Sequence, residues 1–201
     1  MPVMLCCVLI FVIWFKYERD KSSKISNENS AKYWDLEYKS NFVRKKDIES
    51  LNYIKIPLDK LPFMETDDPK INSLQDIVTG LSSRRILNLT GLTNTELKLK
   101  YGAANLTPLT EYDENYTLLV RTLYQWGSYL YEHNYQKEAI SILEYGISLK
   151  TDVSGNYKLL ARIYKNKGDN AQIQSLIDQA GTIPSLLKSH IIAALTEILE
   201  E

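Results

Sequence analysis

Apolar residues fall along this chain in three different rhythms. Residues 1–15, MPVMLCCVLIFVIWF, contain no charge and no strongly polar side chain, which predicts a helix that is apolar all round. Ile71, Leu74, Ile77, Val78 and Leu81 recur at three- and four-residue spacing, which predicts an amphipathic helix over 69–83. Pro69 suits the first turn of that helix, where an amide hydrogen has no partner anyway. Thr93 and Glu96 have the spacing of a capping box, so another helix runs from there to about Tyr101, and Gly102 suits a left-handed stop. Between these segments Pro57 and Pro62 forbid a helix. Asn52–Leu61 therefore reads as an extended strap whose apolar side chains pack on a helical body. Residues 21–31, KSSKISNENSA, read as a polar linker or a frayed helix extension. No alternating run is long enough for a sheet, and the expected fold class is all-α.

The third rhythm is a repeat. A shift of 34 residues places Gly127 on Ala161, Leu130 on Tyr164, Asn134 on Gly168, Leu143 on Ile177 and Gly146 on Ala180. Small residues mostly meet small ones, and bulky apolar residues meet bulky ones. A further shift sets Ile191, Ala194, Leu195 and Ile198 near first-helix positions, as a capping helix would. Arrays of this kind usually need at least three units to bury enough surface. Ile86, Leu87, Leu89, Leu92, Leu97 and Leu99 are the expected N-terminal cap. The expected division is an anchor at 1–17, a basic linker or helix at 18–46, the strap and an acidic loop at 47–68, capping helices at 69–112, and two repeats with a C-terminal cap at 113–201.

Over 113–201 the chain resembles tetratricopeptide repeats. Trp126-Gly127, Leu130, Tyr135, Ala139, Leu143 and Gly146 carry the pattern in the first unit, and Leu160-Ala161, Tyr164, Gly168-Asp169 and Ala180 carry it in the second. Ile173 departs from it, standing where the small residue of the second helix belongs. The resemblance implies a protein–protein interaction module that holds a peptide along its first helices. Carried over by position, that groove comprises Arg121, Tyr124, Ser128 and Tyr131, then Lys158, Arg162 and Lys165. The last three share one helix face at i, i+4 and i+7, a strip suited to an acidic segment or a C-terminal carboxylate.

Composition sharpens the picture only when read by position. Over 201 residues the net charge is −1, with 24% charged and 44% hydrophobic residues, so disorder throughout is excluded and no global attraction to nucleic acid exists. Residues 16–46 nevertheless hold nine Lys or Arg against five acids, a local +4 that leaves −5 for 47–201. Beside an apolar run, basic flanks stay on the cytoplasmic side. The expectation is thus a single-pass membrane protein with a cytoplasmic body, although fifteen helical residues span roughly 22 Å against a hydrocarbon core of roughly 30 Å. The flanks offer no small-x-small site for a cleaved signal peptide. The alternatives are a structural subunit of a larger membrane-associated complex, or an adaptor outside the cytoplasm. Only in the latter would the sequons at Asn88, Asn105 and Asn115 matter.

Chemistry is expected to be absent. The eight glycines are scattered, the two histidines lie far from either cysteine, and both cysteines fall inside the apolar run. No catalytic, cofactor or metal site is expected, and the partner is an unidentified protein or peptide.

Overall fold

A computed structural model describes the backbone of residues 2–201, with the side chains of residues 2, 3, 5, 6 and 25 left undescribed. The described residues form eight α-helices and no strand: α1 (Pro2–Ser40), α2 (Pro69–Ser82), α3 (Asn94–Tyr101), α4 (Leu106–Glu132), α5 (Gln136–Ser148), α6 (Ser154–Asn166), α7 (Asn170–Ala180) and α8 (Lys188–Glu200). The all-α expectation holds. They group into two compact units, one of residues 1–47 with 93–106, the other of residues 48–92 with 107–201. The segment 69–112, expected to act as one set of capping helices, is divided between them.

In the first unit α1 runs unbroken through residues 21–31, where a linker or frayed extension was expected. Met4 and Cys7–Phe15 are all exposed. The expected anchor at 1–17 lies partly outside the described residues, and among those described no helix is long and apolar enough to cross a membrane. At the other end α3 docks on α1. Its start carries the capping box: Glu96 N donates to Thr93 Oγ1 at 3.3 Å, and Thr93 N to Glu96 Oε2 at 2.7 Å. Gly102 ends it at φ +92°. Glu37 of α1 accepts from both Lys98 and Thr95, and Lys98 Nζ also donates to Asn41 Oδ1 at 2.8 Å.

The Lys98 hydrogen bond, followed by that of Thr95, holds the Glu37 carboxyl below its ordinary value of 4.5. Because the folded-state pKa is depressed, the stabilisation is complete above 4.5 and is lost as pH falls through the lower value. Protection of amides 94–101, taken relative to their intrinsic exchange rates, should therefore fall on acidification below pH 4.5, and in a Glu37→Gln variant it should be nearly constant over that range.

The second unit opens with the strap. Ile54, Ile56, Leu58, Phe63 and Met64 pack against the core that contains Leu74, Leu123 and Trp126, and Ile54 N donates to Ile86 O at 2.9 Å. Buried Gln75 reads one strap residue twice, accepting from Met64 N at 2.7 Å and donating to Met64 O at 3.0 Å. Gln75→Leu keeps the volume but strands both main-chain groups. It should lower stability by about 2 kcal/mol and open 52–64 to limited proteolysis, whereas an unchanged cleavage pattern would deny the clamp. Arg85 clasps the strap's beginning, giving Glu49 two hydrogen bonds of 2.8 and 2.6 Å while lying over the ring of Tyr53.

Asp68 caps α2 by accepting from Lys70 N and Ile71 N. Ile71, Leu74, Val78 and Leu81 are buried, but Ile77 is 36% exposed and does not belong to the core stripe. Of the expected cap residues in this unit, Ile86, Leu87 and Leu89 are buried and Leu92 is exposed.

From α4 onward the helices keep the 34-residue register. α4, α6 and α8 end at 132, 166 and 200, α5 and α7 begin at 136 and 170, and α6 and α8 begin at 154 and 188. The hairpin turns match as well. Asn134 and Gly168 have φ of +67° and +72°, and Tyr135 N→Leu130 O and Asp169 N→Tyr164 O close them at 2.9 and 3.0 Å. Gly127 allows the close approach within the first pair, since a Cβ there would meet the Leu143 side chain at 2.7 Å.

Candidate binding surface

α4 buries Leu119, Leu123, Trp126 and Leu130 on one side, which turns Glu114, Leu118, Arg121 and Gln125 outward at three- and four-residue spacing. Arg121 is exposed and enters no ion pair among the described residues. The other groove residues carried over from the repeat resemblance meet different fates. Tyr124 lies against Gly155 in the seam between α4 and α6. Tyr131 is half-buried and packs on both core clusters. Ser128 donates to Glu132 at 3.2 Å on its own helix. Lys158 is half-buried and Arg162 exposed, but Lys165 donates to Leu199 O at 2.8 Å. A cation there satisfies a carbonyl in the last turn of α8 and favours the negative end of that helix. The strip of three cations is therefore reduced to Lys158 and Arg162, which enter no ion pair among the described residues.

Concavity lies elsewhere along the α4 ridge. Three hollows adjoin through shared residues. The first, of about 680 Å³, lies between α2 and α4 and is lined by Asp76, Ile77, Gly80, Arg84 and Leu118 among others. The second, of about 270 Å³, lies over Asp113, Glu114, Thr117, Leu118 and Arg121. The third, of about 410 Å³, includes Thr117 and Arg121 with Thr90, Asp152, Ser154, Gly155 and Leu187. Leu118 joins the first pair, and Thr117 and Arg121 join the second. The result is a continuous track from α2 across α4 to the start of α6. A Cβ added to Gly80 would meet nothing within 4 Å, so the floor of the first hollow is open. Ile77 and Leu118, 36% and 42% exposed, are its exposed large apolar side chains. With helices about 9 Å apart, the track is roughly 18 Å long, the span of five or six extended residues.

Charge in the track is uneven. Asp113 accepts from Leu89 N at 2.9 Å. Burial, opposed by that hydrogen bond and reinforced by repulsion from Asp152 and Glu114, lifts its carboxyl above the ordinary range. Asp152 accepts from Ser185 Oγ at 2.8 Å. Beneath the track Tyr116 and Asn88 meet at Leu149 O.

The sequon asparagines are committed to structure. Asn105 is fully buried, with Nδ2 donating to Lys46 O and Tyr101 O at 2.7 Å. Asn115 Nδ2 donates to Arg85 O at 3.0 Å, and Asn88 Nδ2 to Tyr116 Oη at 2.9 Å. That nitrogen is the atom a glycan would occupy. His133 stacks on Tyr129 with centroids 3.9 Å apart, and Tyr129 Oη donates to Asp68 at 2.8 Å. This arrangement fastens the helix hairpin to the cap of α2.

No family model, no curated protein and no solved structure matches this chain.

Sequence reasoning reached Arg121 but missed Ile77, Gly80, Arg84, Glu114 and Leu118. Ile77 gave a signal, because a stripe already filled by Leu74 and Val78 leaves it rotated toward the edge.

Proposed function

We propose that this chain is a membrane-anchored protein–protein interaction module whose helical-repeat body, of the tetratricopeptide kind, presents the track across α2, α4 and α6 to a partner. The observation that carries the reading is the track itself: three adjoining hollows, with exposed Ile77 and Leu118 in the first and Leu118 shared with the second. Exposed apolar contacts in a concave surface that also carries charged side chains favour a binding role. Support for the anchor comes from the exposed apolar end of α1, which lipid would bury. Its short span would be met by local thinning of the bilayer and by the long side chains of its flank. The basic stretch that follows favours a body in the cytoplasm. Such a module acts by surface complementarity, without a catalytic step, cofactor or metal.

Replacing Ile77 and Leu118 together by Gln removes both apolar contacts and introduces no charge. A partner crosslinked in native membranes should then be recovered at least tenfold less, with the thermal melt of the chain unchanged. Undiminished recovery would remove this surface from the account.

A further inference from the structure

Resting on the docking reading above, the chemistry of the track also selects its occupant. Four carboxylates, Asp76, Asp113, Glu114 and Asp152, line it against two guanidiniums, Arg84 and Arg121. The unit that contains it carries eighteen acids and thirteen Lys or Arg, a net −5, whereas the other unit carries +4. We propose that the track binds an extended basic segment of a partner protein, with an apolar side chain seated between Ile77 and Leu118 and a Lys or Arg beside Glu114. Glu114 lies one turn before Leu118 on the same exposed ridge, so a segment crossing α4 at Leu118 brings its neighbouring side chains within reach of that carboxylate. The surroundings favour a cation on independent grounds. Asp113 is held under repulsion from both Asp152 and Glu114, and an incoming positive charge relieves it whereas an anion adds to it. A basic occupant reverses the acidic segment suggested by Lys158, Arg162 and Lys165, of which Lys165 is engaged by α8. Because the charges stand at the rim of shallow hollows, binding should weaken steeply with salt.

The test uses the full chain in nanodiscs of zwitterionic lipid with three fluorescent decapeptides, alternating Leu with Lys, Glu or Ser. The Lys peptide should bind at least tenfold more tightly than the Glu peptide. Asp76→Lys with Glu114→Lys, both at exposed positions, should invert that order, and raising salt should weaken the Lys peptide most. Equal affinities, a preference for Glu, or a Lys peptide indifferent to the charge reversal would overturn the basic-segment proposal. The Gln replacements at Ile77 and Leu118 separate the two levels. Loss of all three peptides on those replacements, without a charge preference, keeps the docking surface and rejects its basic occupant. Binding indifferent to both pairs of substitutions rejects both.

Discussion

Replacing Trp126 by alanine is expected to lower the stability of the helical body by about 3–5 kcal/mol, the range for emptying a large aromatic site in a packed core. Trp126 is fully buried on α4 and its ring lies 5.3 Å from that of Phe63, so one side chain joins the helical core to the strap. The resulting cavity would be lined by groups from α2, α4, α5 and the strap, which cannot collapse together without shifting a helix. Trp126→Phe should be far milder. It keeps most of the ring and also removes Nε1, a buried donor with no acceptor among the described residues. Urea unfolding followed by circular dichroism checks both variants. Equal losses in the two would mean that the ring volume is not what holds the strap.

Gly91→Ala is expected to cost about 3 kcal/mol, from two sources that can be separated. Gly91 has φ of +86°, a left-handed conformation that any Cβ penalises by about 1–2 kcal/mol. A Cβ there would also overlap the carbonyl oxygen of Pro184, which is main chain and has no rotamer to escape into. Gly168 provides the control, since its φ is +72° but a Cβ would meet nothing within 4 Å. Gly168→Ala should show the conformational part alone, and the difference between the two variants measures how tightly residues 84–92 are held against the turn before α8. Amide exchange at Leu89, which donates to Asp113, should rise in the first variant and not in the second. Comparable destabilisation by both would contradict the close packing.

The parts of this fold that were legible in the sequence are local. Pro69, the Thr93–Glu96 box and Gly102 mark helix ends through preferences that act within a single turn of chain. The 34-residue shift fixes the turns at Asn134 and Gly168 because each needs the same left-handed backbone. What was hidden depends on pairings across long stretches of chain. Glu37 meets Lys98 and Thr95, so residues 93–106 fold with the N-terminal helix and not with their chain neighbours. Lys165 looked like one of three equivalent cations until the last turn of α8 supplied a carbonyl for it. Tyr124 and Tyr131 occupy first-helix positions, but they pack against neighbouring helices, whereas Arg121 borders the second and third hollows. The proposed docking surface lies toward the start of α4, beyond the reach of a repeat pattern centred on its second half.

Site-specific photocrosslinking from position 118 in intact membranes tests the central claim most directly, with position 174 on α7 as an exposed control. A photoreactive residue at 118 should give a discrete adduct with one partner, absent from position 174 and lost when Glu114 is changed to Lys. Identical adducts from both positions, or none from 118, would contradict the track as the place where this chain meets its partner.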